Sequence, residues 1–541
     1  MPHPAIVDRL ARLDAAQRRA ATAPDGPVLC VAPAGSGKTS TLVARIAWLV
    51  DRGVAPTSIC ALTFNRRASE ELRERVAAAL EPLGGGLAAR VRIRTFHALG
   101  MEILREAAVL VDPLLDRETV LQAVRPDADA AERRRLDTLV SRFKLDLGVT
   151  AADVEADPEA GIVARTYAAY EREIERRGGL DFDDLVARSV RLLESDSMVL
   201  ARWRERCAHL LVDEAQDLDR SQLRMALLLA APANRVFLVG DDDQSIYGWR
   251  LADVRRLLNL AEEALPALLR VDLETNYRCP AVVLARAVRL VEHNRERFAK
   301  TIRAGPQAAG RLVLAPSAAD DIEVAAAVLA GWPDDDTTRA VLARTNRELL
   351  PAAAAALRLG VPFRAAELVL PIELPTVDEV LAEIADLDPW QPLLVRAGRV
   401  RDRWARMGDR STDAAAAVLG WAAGFVSLDD LAAGVAWARE RLATLRRDDA
   451  RLTLATAHGT KGLEFDHVAV VGLDAARFPS ARSVAEAVEP ERSLEEERRL
   501  AYVAWTRARR SLTLAYDPGA ASPFLLEAFD ADELGLPVAV R

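Results

Sequence analysis

The sequence predicts an α/β protein with two cores, each built on a parallel sheet and each carrying a helical insertion. Short apolar runs alternate with segments of helical periodicity, which is the pattern of parallel-sheet proteins. Polar motifs directly follow several of these runs. In parallel sheets, binding and catalytic residues usually lie at the carboxyl ends of the strands. Two long segments show helical periodicity and no strong strand pattern, which predicts the two insertions.

The first motif is a glycine-rich turn between an apolar run at residues 28–31 and a helical pattern at residues 40–50. Its glycines let the backbone wrap around phosphate oxygens, and backbone N–H groups at the helix start face the anion. The lysine of such a loop reaches the β- and γ-phosphates, and its threonine holds Mg²⁺. The predicted phosphate-binding residues are Ala34, Gly35, Ser36, Gly37, Lys38 and Thr39.

The rest of the first core is predicted at residues 1–99 and 180–272, with the first insertion at residues 100–179. Its further strands are expected at residues 59–64, 91–95, 209–212 and 235–239, and residues 269–273 are expected to open the second α/β series. A helix is expected to begin near residue 180, after which three aspartates follow closely. Helix capping is the favoured interpretation, at least in part, for Asp181, Asp183 and Asp184.

The second core is predicted at residues 273–365 and 451–541, with a short insertion at residues 366–450. A charged helix is expected at residues 495–510. Strands are expected at residues 311–315, 339–344, 452–456, 467–471 and 511–516.

Composition gives an independent argument for the phosphate loop. Lysine occurs four times, at Lys38, Lys144, Lys300 and Lys461, against 68 arginines. The arginine guanidinium is planar and presents its donors as a fork, whereas the lysine ammonium is a compact point charge. Lysine is therefore expected to persist at positions where a guanidinium cannot replace the ammonium.

The overall charge and the cysteines limit the classes of function. A net charge of −9 argues weakly against a protein that coats duplex DNA, although a local basic groove is compatible with it. The four cysteines are isolated, so neither a zinc site nor a disulfide framework is expected. No signal peptide and no apolar run of transmembrane length is found, so a cytoplasmic protein without membrane contact is expected, associated with the nucleoid if it is bacterial.

Two further motifs fit phosphoryl transfer. Asp213 and Glu214 follow an unusually apolar run, where one carboxylate positions Mg²⁺ and the other orients or deprotonates water. Gln244 follows the next strand, in the place of a γ-phosphate sensor. Gln17, just before the loop, is as readily a solvated helix residue as a base-reading one. Arg278 and Arg507, from the second core, are candidates for neutralising the γ-phosphate.

Nine motifs in order carry a family resemblance: AGSGKT, TFNRRA, RTFHALG, DFDDL, VDEAQD, VGDDDQSIYGWR, NYRCP, ATAHGTKGLEF and ERRLAYVAWTRAR. This set resembles the UvrD/PcrA/Rep family of superfamily 1A DNA helicases over nearly the whole chain. The resemblance implies that the cores are RecA-like domains and that the insertions are the 1B and 2B subdomains. Residues 63–67 depart from the Thr-Phe-Thr-Asn-Lys of many members, and the second insertion is shorter than usual.

The resemblance also implies roles for individual residues. Gln17 reads adenine, Tyr277 stacks on it, Glu464 contacts the ribose, and Arg278 and Arg507 are the γ-phosphate arginines. Contacts to single-stranded DNA are implied for Phe64, Thr95, His97, Tyr247, Trp249, Arg250 and His458. Base stacking on aromatic rings gives a sequence-tolerant grip. Core packing is the alternative for these aromatic residues, and it fits Trp249 least.

The function expected from these motifs is an ATP- and Mg²⁺-dependent 3′→5′ translocase and helicase. Its substrates are expected to be single-stranded DNA and 3′-tailed duplex, with protein partners possible through the insertions. A role in DNA repair or recombination is expected. The alternatives are an RNA-directed helicase and a nucleotide-switched binding module without turnover.

Overall fold

The computed structural model describes residues 2–109, 111–306, 309–407 and 412–536. Its contacts divide the chain into two compact units. The first comprises Met1–Arg278 and Asn294–Gln307, and the second comprises Cys279–His293 and Ala308–Arg541. The segment 294–307 therefore returns to the first unit after a helix that belongs to the second.

The first unit is built on a six-stranded sheet in the order β3-β2-β4-β5-β1-β6, in which all pairings are parallel. Four of these strands are buried throughout or nearly so, because helices cover both faces. Its strands are β1 (Val28–Val31), β2 (Ile59–Thr63), β3 (Arg92–Thr95), β4 (His209–Val212), β5 (Val236–Gly240) and β6 (Leu269–Asp272). The parallel α/β fold predicted for the first core is confirmed, but the expectation that residues 269–273 open the second series is wrong, because Leu269–Asp272 pairs with β1 at the edge of this sheet.

Helices account for most of the rest of the first unit. Five precede the first insertion: α1 (Pro4–Ala11), α2 (Ala15–Ala21), α3 (Lys38–Asp51), α4 (Arg66–Leu80) and α5 (Leu87–Arg90). The next five are α6 (Phe96–Glu106), α7 (Arg117–Val124), α8 (Ala130–Ser141), α9 (Ala151–Ala156) and α10 (Ile162–Arg177). The last five are α11 (Asp184–Ser195), α12 (Ser197–Arg206), α13 (Arg220–Ala230), α14 (Val254–Leu258) and α15 (Leu260–Glu263).

The first insertion is helical, and a π-helical turn, Arg142–Leu147, continues α8. Helices α7 to α10 enclose a small core of their own, which includes Val120, Leu136, Tyr167 and Ile174. The predicted boundary at residue 100 falls inside α6, whose Leu99 and Ile103 pack into the core beside the sheet.

A pair of two-residue strands, β7 (Thr275–Asn276) and β8 (Arg303–Ala304), joins the segment 294–307 to the first unit. Such short strands carry no periodicity, so the sequence did not indicate them. The pairing also explains why Arg278, predicted in the second core, lies in the first unit. Asn276 Nδ2 donates to Ala34 O at 2.7 Å, and Tyr277 N donates to Gly35 O at 2.9 Å.

The second unit contains another six-stranded parallel sheet, in the order β11-β12-β10-β13-β14-β9. Its strands are β9 (Arg311–Pro316), β10 (Arg339–Ala343), β11 (Phe363–Arg364), β12 (Leu452–Thr456), β13 (Phe465–Val470) and β14 (Ala508–Tyr516). Its helices are α16 (Ala281–Val291), α17 (Asp321–Ala330), α18 (Leu350–Leu359), α19 (Thr376–Ala385), α20 (Leu393–Met407), α21 (Thr412–Ala422), α22 (Leu428–Leu445), α23 (Ala481–Ala485), α24 (Pro490–Trp505) and α25 (Pro523–Ala528).

The helix predicted at residues 495–510 is wrong at its end. Helix α24 stops at Trp505, and β14 starts at Ala508. The charged stretch that follows Trp505 suits a helix by composition, but pairing of Ala508 with Phe465 of β13 draws it into the sheet. Tertiary pairing overrides local propensity here.

The second insertion, α19 to α22, has a separate apolar core that includes Val380, Val400 and Val418. Phe363 and Leu452, which flank the insertion, are register partners on β11 and β12. All four cysteines are buried, and no disulfide bond joins them. In the described ranges no helix is long and apolar enough to cross a membrane.

Candidate functional site

The phosphate loop leaves β1 and enters α3 with both glycines in the left-handed region, Gly35 at φ +67° and Gly37 at φ +83°. Lys38 is the first residue of α3, so its backbone lies at the positive end of the helix. Two buried polar atoms of the loop, Ser36 Oγ and Lys38 Nζ, have no hydrogen-bond partner. Buried polar groups are normally paired, so these atoms fit a phosphate ligand.

Gln17 is buried against this loop, which overturns the solvated-helix interpretation. Its Nε2 donates to Ser36 O at 2.8 Å. Its Oε1 accepts from Asp14 N at 3.1 Å, while Asp14 Oδ1 accepts from Gln17 N at 2.8 Å, closing a capping box at the start of α2. A Cβ at Gly37 would lie 2.5 Å from Gln17 Nε2 and would displace this amide, and the positive φ of Gly37 independently favours glycine. Gln17 therefore links α2 to the loop.

A cleft of about 650 Å³ opens beside Gln17, Gly35 and Gly37. Tyr277 lies at its edge with half of its surface exposed, and its hydroxyl donates to Asp14 Oδ2 at 2.7 Å. Arg278 is half-buried, and a Cβ at Gly35 would come within 2.7 Å of its Cβ. The structure thus brings Gln17, Tyr277 and Arg278 together at the phosphate loop.

Asp213 and Glu214 follow β4, as predicted. Burial, reinforced by the adjacent Glu214 carboxylate, raises the pKa of Asp213 to about 7. Glu214 adopts the left-handed region at φ +53°, an uncommon conformation for a residue other than glycine and one that often marks a functional site. Its Oε2 lies 3.6 Å from Lys38 Nζ. A carboxylate pair therefore faces the loop lysine.

A hydrogen-bonded path joins Glu214 to Gln244. Gln216 Nε2 donates to Glu214 Oε2 at 2.6 Å, and Gln216 Oε1 accepts from Asp241 N at 3.0 Å. Asp241 Oδ2 in turn accepts from Gln244 Nε2. No role for Gln216 could be predicted from the sequence, because an isolated amide beside two acidic residues carries no specific signal.

Lys300 reinforces this path from the segment 294–307. Its Nζ lies 3.0 Å from Asp241 Oδ1 and 2.8 Å from Asp243 Oδ2, and it also contacts Asp242. The side chains of all four residues are almost wholly buried. Lys300 thus anchors Asp241, which holds the Gln244 amide.

A second cleft, of about 1050 Å³, lies at the same edge of the sheet and is lined by aromatic and polar side chains. Phe64 stacks on Tyr247 with ring centroids 5.0 Å apart, and Trp249 meets Tyr247 edge-on at 6.1 Å. The Arg250 guanidinium lies 4.5 Å from the Trp249 ring centroid. Trp249 is 57% exposed, so its core-packing alternative is wrong.

Phe182 adds to this cleft an aromatic ring for which the sequence predicted no role. It is 57% exposed and stacks on His97 at 4.0 Å. Burial lowers the pKa of His97 to about 4, and nearby Arg250 acts in the same direction against the opposing effect of Asp183. Thr95 caps α6, because its hydroxyl accepts from Ala98 N at 3.2 Å. The sequence signal for Phe182 was only an apolar residue between two aspartates.

The remaining predicted residues lie in the second unit. His458 follows β12, and burial, aided by Arg344 and Lys461, lowers its pKa to about 4. Glu464 is exposed. Arg507 is buried between α24 and β14, where its Nε donates to Val503 O at 2.9 Å.

Two family profiles match the chain. The UvrD/REP helicase N-terminal domain matches residues 13–264, and the UvrD-like helicase C-terminal domain matches residues 426–518. Together they cover more than half of the chain.

Three curated relatives are each called ATP-dependent DNA helicase PcrA. The protein of Staphylococcus aureus is 35% identical over 307 residues, which are 54% of this chain and 41% of the relative. The Leuconostoc citreum protein is 36% identical over 301 residues, 53% of this chain and 40% of the relative. The Staphylococcus epidermidis protein is 35% identical over 303 residues, which are 53% of this chain and 41% of the relative. The chain spans about two fifths of the length of these relatives. With both family domains present in order, the chain belongs to the UvrD-like helicase family.

Proposed function

We propose that the chain is an ATP-dependent helicase and translocase that moves 3′→5′ on single-stranded DNA. The observation that carries this proposal is the placement of two sites at one edge of one sheet. The carboxyl ends of β1 and β4 bear the phosphate loop and the Asp213–Glu214 pair, and those of β2, β3 and β5 lead into the aromatic cleft. The relatives' names, the family profiles and this geometry support the same function.

The phosphate loop binds the triphosphate of ATP through its backbone N–H groups, Ser36 Oγ and Lys38 Nζ. Glu214 orients and deprotonates the attacking water. Thr39 and Asp213 offer the hard oxygen ligands that would hold Mg²⁺, which would supply positive charge beside the phosphates when bound. Burial raises the pKa of Asp213, and a bound Mg²⁺ would lower it again by stabilising the ionised carboxylate.

The base and the terminal phosphate are recognised by the groups around the loop. Gln17 and Tyr277 border the cleft that receives adenine, and Glu464 contacts the ribose. Gln244, fixed through Asp241, senses the γ-phosphate. Arg278 and Arg507 neutralise the charge that develops on the γ-phosphate.

The aromatic cleft grips single-stranded DNA. Exposed rings at Trp249 and Phe182 provide faces on which bases stack. Tyr247, itself stacked on Phe64, supports Trp249, and His97 supports Phe182. Arg250 adds a positive charge for the phosphate backbone. Thr95, His97 and His458 complete the contacts to the strand. Both histidines have depressed pKa values, so they act as neutral hydrogen-bonding groups.

The insertions contact duplex DNA or protein partners, and the enzyme works in DNA repair or recombination, at the nucleoid if bacterial. On the second insertion Trp390 is 92% and Val426 94% exposed, which supports a contact role for this segment. Loss of the second insertion is expected to leave ATP hydrolysis and translocation intact.

A strand-displacement assay with 3′-tailed and 5′-tailed duplexes tests this proposal. We expect ATP-dependent unwinding of the 3′-tailed DNA only. A preference for 5′ tails would reverse the polarity. A preference for RNA substrates would favour the RNA-directed alternative, and binding without ATP turnover would favour the nucleotide-switched module.

A further inference from the structure

Lys144 occupies an unusual position in this lysine-poor chain. It lies in the π-helical turn of the first insertion, and its side chain is fully buried. Its Nζ lies 2.7 Å from Glu171 Oε1, 2.9 Å from Asp181 Oδ2 and 3.0 Å from Asp184 Oδ1. One ammonium group therefore meets three separate carboxylates.

This geometry accounts for a lysine rather than an arginine. The three N–H donors of an ammonium spread around one atom, whereas a guanidinium presents its donors in a plane. Three carboxylates that converge on one atom suit the ammonium. Lys300, with Asp241, Asp242 and Asp243 around it, repeats the arrangement elsewhere in the same unit.

The cluster around Lys144 holds both neighbours of Phe182. Tyr170 Oη donates to Asp181 Oδ2 at 2.7 Å. Arg117 lies 3.2 Å from Asp181 Oδ2 and 2.6 Å from Asp183 Oδ2. Although burial alone raises the pKa of a carboxyl group, Lys144 and Arg117 bring the pKa of Asp181 below its ordinary value.

The aspartates also bond to the backbone of the same loop. Asp181 Oδ1 accepts from Asp184 N at 2.9 Å, and Asp184 Oδ2 accepts from Asp181 N at 3.1 Å. The capping interpretation is thus partly right, but Asp183, directly before α11, makes no side-chain cap. The loop between these anchors has one outward ring, Phe182, which projects into the aromatic cleft.

We infer that Lys144 is a positioning residue for nucleic-acid binding, which acts from the first insertion by fixing the 181–184 loop and so the ring of Phe182. This inference rests on the proposed function, because it requires the aromatic cleft to hold single-stranded DNA. Stability alone is a weak reason for such a cluster, since burying several charges costs free energy that their attraction only partly offsets. A fixed stacking face for DNA gives the cluster a function.

The test measures binding of a fluorescent oligothymidine, without nucleotide, to the full chain. Lys144→Arg keeps the charge but not the three-way geometry. Tyr170→Phe removes only the hydrogen bond from the Tyr170 hydroxyl to Asp181. Because this change is smaller, it serves as the test variant if Lys144→Arg does not fold. Phe182→Ala removes the ring, and Arg172→Met, which breaks the exposed pair with Glu155 in the same insertion, is the matched control.

We expect Phe182→Ala to weaken oligothymidine binding roughly tenfold, the scale for loss of one stacking face. Lys144→Arg should weaken binding by a similar factor or less, and Tyr170→Phe by less again, while Arg172→Met has no effect. ATPase activity measured without DNA should be unchanged in Lys144→Arg and Tyr170→Phe, since the cluster contacts none of the phosphate-loop residues. A purely structural role would lower DNA-free turnover as well.

The combination with Phe182→Ala decides the mechanism. If Lys144 acts through the ring, Lys144→Arg and Tyr170→Phe cause no further loss in that background. Additive losses, or wild-type binding by folded Lys144→Arg and Tyr170→Phe, would overturn the inference and leave the proposed function intact. Failure of the wild-type chain to bind oligothymidine would overturn both.

Discussion

Replacement of Glu214 by glutamine tests the assignment of the hydrolytic base. In the structure, the Glu214 Oε2 atom accepts from Gln216 Nε2 at 2.6 Å and lies 3.6 Å from Lys38 Nζ. A glutamine of the same shape still offers an oxygen to Gln216. Its backbone can keep the left-handed conformation, so the fold should be retained. Only the basicity and the charge are lost.

The magnitude follows from the role of a general base, whose loss slows a reaction by about 10²- to 10⁴-fold, or roughly 3–5 kcal/mol in the barrier. Nucleotide affinity should not fall with it. Because Glu214 contributes to the raised pKa of Asp213, its neutralisation lowers that pKa and favours the ionised metal ligand.

The assay compares steady-state ATP hydrolysis with equilibrium binding of a fluorescent ATP analogue, both with saturating oligothymidine. Glu262→Gln, an exposed carboxylate in the same unit, is the matched control and should behave as wild type. Turnover within about threefold of wild type by folded Glu214→Gln, well short of the loss expected for a general base, would remove Glu214 from the catalytic role.

Four further predictions follow from other parts of the molecule. Arg507→Ala should lower kcat by roughly 10³-fold or more as an arginine finger does, with DNA binding in the absence of nucleotide unchanged; normal kcat would refute the role. Lys300→Met should destabilise the chain by about 3–5 kcal/mol, because it removes the buried ammonium that Asp241, Asp242 and Asp243 share, although Asp243 keeps its ion pair with Arg297; an unchanged urea midpoint would contradict this. Burial raises the pKa of Asp219 to about 7, so this carboxyl group ionises more readily in the unfolded chain, and the resulting loss of stability grows as the pH rises from about 4 to about 7 and is constant above; the stability gained by Asp219→Asn should therefore be up to about 4 kcal/mol at pH 8 and shrink as the pH falls to 5, and a pH-independent gain in chemical denaturation would refute it. A Gly/Ser linker in place of residues 366–450, which the pairing of Phe363 with Leu452 permits, should keep DNA-stimulated ATPase and alter unwinding; loss of that ATPase in a folded variant would make the insertion part of the motor.

The parallel sheets could be predicted from the sequence because buried parallel strands are continuous apolar runs. Val28–Val31, His209–Val212 and Leu452–Thr456 match their predicted bounds. The two-residue strands β7 and β8 could not be predicted, since pairing between distant segments defines them. Pairing between distant segments also determines where β14 starts, because Ala508 pairs with Phe465 of β13.

The candidate site was predictable where chemistry limits the residue types, as in the phosphate loop. The residues that support it were not. Gln216 is an ordinary amide in sequence, and only its bonds to Glu214 and Asp241 reveal its place. The scarcity of lysine pointed to Lys144 and Lys300 as unusual, but not to the carboxylates that surround them.

The dependence of ATP hydrolysis on single-stranded DNA tests the central claim most directly, because it requires the phosphate loop and the aromatic cleft to work together. The measurement is the steady-state rate of the wild-type chain at saturating ATP and Mg²⁺, titrated with oligothymidine and with oligouridine of equal length. We predict a rate that rises to saturation with oligothymidine, rises less with oligouridine, and is no longer stimulated in Trp249→Ala. A rate that does not respond to oligothymidine, or that responds equally in Trp249→Ala, would contradict the account.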